Sequence, residues 1–141
     1  MAVLSNVFVF FLDELYLRIL PRVEVGSNVD IKCDLSEVSG DLNNPTIAYW
    51  WSNSSGETSQ LWGNGSSASL SVVENDQSKP KLHVITLKNI APDAAGDYWC
   101  RVLLDGGEVF VSREKSMTVV DSPMVGAQQM VLPTVLQPGG K

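Results

Sequence analysis

Apolar and polar residues alternate along most of the chain, which is the period of a β-strand with one face on a core. The segment NVDIKC (28–33) places Val29, Ile31 and Cys33 on one face and polar residues on the other. The segment YWCRVLL (98–104) does the same, with alternate residues from Tyr98 to Leu104 facing inward. These segments therefore predict strands with one buried face.

Turn signals separate the predicted strands. Asp-Gly-Gly at 105–107 favours a tight hairpin into EVFVSREKSMTVV, which is predicted as the final strand. The alternation in LYLRIL (15–20) ends at Pro21, which is typical of a kinked edge strand. No segment has a convincing helical period. The pattern predicts an all-β sandwich of two sheets.

Length, composition and charge argue against some classes of function. The chain has 141 residues, 44% apolar and 18% charged, with a net charge of -6. This length suits one globular domain, and the acidic balance argues against a nucleic-acid partner. The two cysteines, Cys33 and Cys100, belong to no C-x-x-C pair or Cys/His cluster, so no zinc site is expected.

The stretch DAAGDYWC (93–100) carries the most specific signal. Cys33 and Cys100 both face inward on different strands, so a disulfide between them would join the two sheets and contribute roughly 4 kcal/mol. Tyr98 shares the inward phase and is expected to return its hydroxyl to the chain entering the strand, as a tyrosine corner. Gly96 would permit the tight turn beneath it.

These residues resemble the variable-type (V-set) domain of the immunoglobulin superfamily. ITLKNIAPDAAGDYWC is similar to the family's E strand, E-F turn and F strand, VEVGSNVDIKC to its A′-B segment, and MTVV to the end of its G strand. The similarity covers residues 13–121, and the distance between the cysteines leaves room for C′ and C″ strands. The resemblance implies an immunoglobulin-like two-sheet β-sandwich.

The core tryptophan of such a domain must come from IAYWWSNSSG, which is similar to the C strand of the amino-terminal domains of T-cell coreceptors. Trp51 shares a face with Tyr49, so Trp51 is predicted in the core and Trp50 outside, with the reverse as the alternative. Ala94 stands where many V-set domains have an aspartate that pairs with an arginine, so that ion pair is not expected. Asp93 is expected to cap the turn instead.

The residues that are predicted to face outward on their strands form a candidate surface for a partner. Trp99, Arg101 and Leu103 face outward on one strand, and aromatic area of this extent is typical of binding surfaces. The competing interpretation is that the rings stack on one another or lie beneath the chain's own tails. V-set relatives commonly bind ligands through this GFCC′ face, so the resemblance implies a protein ligand or a second copy of the chain. The predicted partner-binding face comprises Trp50, Trp62, Trp99, Arg101, Leu103 and Phe110, although the sequence does not fix the direction of Trp62.

Catalytic and metal-binding signals are weak. The single histidine, His83, is predicted on the outward face of its strand, between inward Leu82 and Val84. GNGSSA (63–68) matches G-x-G-x-x-A, but no helical pattern follows it. DLNNPT (41–46) lacks the glycine and the distal glutamate of a calcium loop. We therefore expect no enzyme activity, cofactor or metal.

The remaining signals concern location. Asn53-Ser-Ser and Asn64-Gly-Ser are N-glycosylation sequons, and with the disulfide they favour an extracellular setting. Residues 1–12 are predicted to be a leader remnant or N-terminal extension, and residues 122–141 a stalk or linker containing proline and glycine. No apolar run approaches the length of a membrane span, so membrane attachment would need an anchor absent from this sequence.

Two functions follow as hypotheses. The first is an extracellular protein-recognition module, either the ectodomain of a receptor or adhesion protein or a secreted immune-type binder. The second is a structural immunoglobulin domain of an intracellular filament-type protein, in which the cysteines would be unpaired. The first is favoured because disulfides are rare in the cytosol.

Overall fold

A computed structural model of the protein describes residues 14–40, 42–64 and 70–121, so the predicted leader and stalk lie outside the described residues. The described strands, in chain order, are β1 (Tyr16–Arg18), β2 (Arg22–Glu24), β3 (Val29–Asp34), β4 (Thr46–Asn53), β5 (Thr58–Trp62), β6 (Val72–Glu74), β7 (Leu82–Leu87), β8 (Gly96–Leu103), β9 (Val109–Val111) and β10 (Lys115–Val120). A short 3-10 turn, Pro92–Ala94, precedes β8. Within the described ranges no helix is long and apolar enough to cross a bilayer.

The strands form two sheets that pack around one apolar core, which confirms the predicted all-β sandwich. The smaller sheet has the order β1-β3-β7-β6 and is antiparallel throughout. The larger sheet has the order β2-β10-β8-β4-β5, and β9 also pairs with β8. The pair of β2 and β10 is parallel. The strands β8 and β4 are therefore neighbours in the interior of the larger sheet.

At Pro21, where a kink is predicted, the chain passes from the smaller sheet to the larger one. Leu15 and Leu17 are buried beside the smaller sheet, and two residues of β2 beyond Pro21 are exposed while Val23 is buried in the core. The carbonyl of Pro21 accepts a hydrogen bond from the N–H of Thr118 at 2.8 Å. Because proline has no N–H to donate, a strand change at this residue leaves no donor unpaired.

The buried faces follow the predicted alternation on β3 and β8. Val29, Ile31 and Cys33 are buried on β3, and the buried face of β8 includes Tyr98 and Cys100. The predicted single final strand is divided into β9 and β10. Between them the hydroxyl of buried Ser112 accepts the N–H of Cys100 at 2.9 Å, so a side chain replaces one backbone pairing.

The prediction for His83 is wrong. His83 lies opposite Cys33 in the register of β3 and β7, and it therefore points into the sandwich. The alternation misleads here because β7 is buried on both faces, from His83 to Leu87. The imidazole is accommodated inside because both ring nitrogens have polar neighbours: Nδ1 lies 3.0 Å from the hydroxyl of Tyr49, and Nε2 lies 2.8 Å from a carboxylate oxygen of Glu74.

The C″ strand that the resemblance implies stays a prediction. It would fall between β5 and β6, where residues 65–69 lie outside the described ranges.

Candidate functional site: the outer face of the larger sheet

A disulfide fixes the strand that carries most of the candidate site. Cys33 on β3 is bonded to Cys100 on β8, with 6.1 Å between their Cα atoms. Both residues are fully buried, and they belong to different sheets. The bond thus ties the middle of β8 to the opposite layer, as its position in the sequence predicts.

The hydroxyl of Tyr98 returns to the turn before β8. It donates a hydrogen bond to the carbonyl of Ala94, and both residues are buried. Burial raises the pKa of Tyr98 well above its ordinary value, and the nearby charge of Asp93 acts in the same direction. The phenol therefore remains a neutral donor. The expectation that Asp93 caps this turn is wrong, because no side chain makes a capping hydrogen bond there.

Gly96 is required by the close approach of β8 to β4. Its φ is +149°, and a Cβ atom placed on it would lie 2.2 Å from the carbonyl oxygen of Ser52. No real Cβ tolerates such a distance to a backbone atom, so any other residue would push the two strands apart.

Trp51 is the core tryptophan, as predicted. It is buried, its ring stacks on that of Tyr98 with 6.3 Å between centroids, and its Nε1 donates to the carbonyl of Ala95 at 3.4 Å. Tyr49 points inward as well and lies directly opposite Cys100. Because side chains alternate along a strand, the residue between them, Trp50, must point away from the core.

Trp50 and Trp99 lie side by side in the register of the outer face. The two residues are directly opposite each other in the antiparallel register of β4 and β8, and both are half-buried. Arg101 and Leu103 follow on the same face of β8, where Arg101 is exposed and Leu103 is 36% exposed. Four predicted residues of the partner-binding face are thus brought together on one surface.

Phe110 does not belong to this surface, and that part of the prediction is wrong. It lies opposite Val102, which is fully buried, and it packs against the core. The sequence V-F-V is apolar at every position, so its alternation does not distinguish the two faces. The register across the hairpin decides instead, because cross-strand partners share a face.

Trp62 is also misplaced in the prediction. It lies opposite inward-facing Tyr49, with 6.1 Å between the two ring centroids in an edge-to-face arrangement. Its ring centroid lies 4.7 Å from that of His83. Trp62 therefore packs against Tyr49 and His83 at the edge of the core, beside the buried contact between their side chains.

Val109 and Val111 take the place of the two misassigned aromatic residues. They lie opposite Leu103 and Arg101, and they are 51% and 57% exposed. The sequence contained the signal for them: the turn centred on Gly106 pairs positions that are equally far from it, so an outward Leu103 requires an outward Val109. The surface that we call the outer face comprises Ala48, Trp50, Asp97, Trp99, Arg101, Leu103, Val109 and Val111.

The outer face carries a local charge pattern within an acidic chain. Arg101 is flanked along its strand by Trp99 and Leu103, and it makes no ion pair with any residue of the described ranges. Asp97 lies on the same face, two residues before Trp99, and one of its carboxylate oxygens accepts the hydroxyl of Ser116 at 2.6 Å. A partner that covers the two tryptophans would therefore also cover both charges.

The two sequons differ in their surroundings. The side-chain oxygen of Asn53 accepts the N–H groups of Ser55 and Glu57, both at 3.0 Å, and so holds the turn between β4 and β5. Asn64 is exposed at the end of β5, and the rest of its sequon lies outside the described residues. Asn53 therefore has a structural role whether or not it carries a glycan.

The part of the chain that is described contains no group of three histidine, cysteine, aspartate or glutamate residues that could hold a metal ion. No protein-family model and no curated protein sequence matches the chain.

Proposed function

We propose that the chain is an immunoglobulin-like domain of the variable type that acts outside the cell as a protein-recognition module, with its partner bound on the outer face. The observation that carries the proposal is the Trp50 and Trp99 pair at the middle of that face, continued by exposed Leu103, Val109 and Val111.

The composition of the outer face supports a protein partner. Tryptophan and arginine dominate the residues whose truncation costs most binding energy in protein interfaces. Exposed valines on a sheet face are unfavourable in water, and a covering partner removes them from it. The charges that adjoin them would add specificity to this apolar contact.

The scaffold supports the family and the location. Strand order, the disulfide between β3 and β8 and the hydrogen bond from Tyr98 agree with the variable-type pattern that the sequence resembles. A buried disulfide favours an oxidising compartment, and the two sequons agree with secretion. We assign no catalytic role, because the one histidine is engaged inside the core.

A binding screen with matched variants tests the proposal. The wild-type chain, presented as a multivalent probe, is applied to an array of extracellular protein domains beside Val111→Arg and Val73→Arg. Val73 is the control because it is a 48% exposed valine on β6 of the other sheet. We expect binding that Val111→Arg abolishes and Val73→Arg preserves. Binding lost only with Val73→Arg, or no binder on the array at all, would contradict the proposal.

A further inference from the structure

We propose that His83 takes up a proton inside the sandwich without loss of a hydrogen bond, and that its two side-chain partners, Tyr49 and Glu74, thereby keep the sandwich closed when the surroundings become acidic. This group of three side chains lies away from the outer face, so its behaviour does not depend on which partner that face binds.

The imidazole of His83 joins strands of both sheets. His83 lies on β7 of the smaller sheet and points inward, opposite Cys33 in the register. Its Nδ1 lies 3.0 Å from the hydroxyl of Tyr49, which is on β4 of the larger sheet. Its Nε2 lies 2.8 Å from a carboxylate oxygen of Glu74, which is on the edge strand β6. Because the side chain of His83 is only 11% exposed, these contacts take the place of water at both ring nitrogens.

The hydroxyl of Tyr49 has two acceptors at the same distance. It lies 3.0 Å from Nδ1 of His83 and 3.0 Å from the backbone carbonyl oxygen of the same residue. A hydroxyl has one proton and two acceptor positions, and it rotates to suit its neighbours. Burial raises the pKa of Tyr49 well above its ordinary value, so the hydroxyl keeps this proton.

This hydroxyl fits both states of the histidine. When His83 is neutral, its Nε2–H donates to Glu74, and the hydroxyl of Tyr49 donates to Nδ1. When His83 is charged, Nδ1–H donates to the hydroxyl, which turns its own proton to the carbonyl of His83. Both ring nitrogens are therefore hydrogen-bonded in either state.

Two neighbours stabilise the charge of the protonated ring. The carboxylate of Glu74 supplies an opposite charge, and a hydrogen bond between ionised groups is stronger than a neutral one. The ring of Trp62 lies 4.7 Å from that of His83, measured between centroids, and an indole ring attracts a cation within about 6 Å. Burial opposes the charged state of a histidine, and these contacts offset that cost.

The groups that face the ring come from four strands. Glu74 on β6 and Tyr49 on β4 are its titratable neighbours within the described ranges. The neighbours on β3 and β5 are Cys33 in its disulfide and Trp62, which do not titrate. The response of this group of side chains to pH is therefore set by His83 and Glu74.

The tolerance of acid has a consequence for the outer face. A buried histidine that must charge usually makes a domain less stable in acid. Here the contact between β4 and β7 survives protonation. Tyr49 precedes Trp50 on β4, so Trp50 keeps its place over the range from about pH 8 to pH 5 in which histidine changes charge.

Nuclear magnetic resonance tests the protonation directly. His83 is the only histidine of the chain, so ¹⁵N-labelled histidine gives signals from this ring alone. At about pH 5.5 both ring nitrogens should carry a proton while the backbone amide spectrum remains that of the folded domain. A ring that stays neutral at that pH, or that gains its proton only as the signals of the unfolded chain emerge, overturns the proposal.

Urea unfolding at about pH 7.5 and pH 5.5 tests the roles of the two partners. Tyr49→Phe leaves Nδ1–H of the charged ring without an acceptor, and Glu74→Gln keeps an acceptor but removes the charge. Relative to the wild type, acidification should raise the unfolding constant of Tyr49→Phe at least about fivefold and that of Glu74→Gln at least about threefold.

Tyr98→Phe is the matched control, because it removes a buried hydroxyl that donates to a backbone carbonyl away from the histidine. Its response to acid should stay within about twofold of the wild-type response. An equal response of Tyr49→Phe and Tyr98→Phe would contradict the role of the Tyr49 hydroxyl. Should Tyr49→Phe fail to fold at neutral pH, the histidine spectra and Glu74→Gln decide, and a Glu74→Gln variant with the wild-type response overturns the proposal.

Discussion

Trp99 lies directly opposite Trp50 on the outer face, and the next residue along its strand is Cys100, whose disulfide lies in the core. One step along β8 thus leads from the disulfide in the core to the centre of the candidate binding surface. Because the disulfide and the core side chains hold the strand, the tryptophans are fixed before any partner arrives, which lowers the entropy that binding must overcome.

Replacement of Gly96 should be far more costly than replacement of another glycine with positive φ. Gly96→Ala adds a Cβ against the carbonyl of Ser52, so we expect a loss of at least about 2 kcal/mol in the free energy of unfolding. Gly26 also has positive φ, +88°, but a Cβ there meets no atom within 4 Å. Gly26→Ala should cost only about 1 kcal/mol, from backbone strain alone. Equal losses in urea unfolding would refute the role of close strand approach.

Removal of the disulfide should weaken the whole domain. Changing Cys33 and Cys100 together to alanine should lower the free energy of unfolding by about 2 to 5 kcal/mol, because the bond constrains the unfolded chain. Denaturation of the oxidised wild type and the double variant measures the difference. Mass analysis of native material, with and without reduction, detects the bond directly. Free thiols in that material would instead favour the intracellular structural domain.

Alkaline pH should destabilise the domain through its buried tyrosines. Burial raises the pKa of Tyr98 and of Tyr49 above the ordinary value near 10, so above that pH the unfolded chain loses protons that the folded chain keeps. Stability is therefore fully present below about pH 10 and falls as the pH rises further, by up to about 1.4 kcal/mol per pH unit for one tyrosine.

Tyr98→Phe provides the control for this alkaline loss. It should cost about 1 kcal/mol at pH 7, because the hydrogen bond to Ala94 is lost. It should also reduce the slope of stability against pH between pH 10 and pH 12. An unchanged slope would mean that Tyr98 is not protected from ionisation by the fold.

Replacement of the two sequon asparagines should affect the stability of the domain to different extents. Asn53→Gln should cost about 1 kcal/mol in unglycosylated protein, because it disturbs the hydrogen bonds to Ser55 and Glu57. Asn64→Gln should change the stability by less than about 0.5 kcal/mol, as is usual for an exposed residue. Peptide mapping of the protein after its secretion by eukaryotic cells should find glycans on these asparagines. Their absence from both would count against the proposed location.

The sandwich was predictable from sequence because its strongest signals are local. Alternation on β3 and β8 identified the inward residues, and the spacing of Gly96, Tyr98 and Cys100 identified the corner. The choice of Trp51 for the core followed from its phase with Tyr49. The outward faces of β3 and β8 carry charged residues such as Lys32 and Arg101, so a period of two has one interpretation there.

The site was only partly predictable, since strands that are apolar on both faces give no such phase. His83 and Phe110 were placed on the wrong face for this reason, and the register with Cys33 and with Val102 decides their direction. Trp62 depends on the pairing of β4 with β5, whose register shifts between Tyr49 and Trp50. An irregularity of this kind breaks simple counting along the strand.

The most direct test of the account is the effect of Trp99→Ala on binding to the partner of the outer face, whether that partner is a second copy or an arrayed domain. Trp99 is outside the core, so the free energy of unfolding of the variant should lie within about 1 kcal/mol of the wild-type value. Titration calorimetry should show affinity weakened by at least about 30-fold, equivalent to about 2 kcal/mol. A folded Trp99→Ala variant that binds the same partner with unchanged affinity would contradict the claim that this face is the recognition surface.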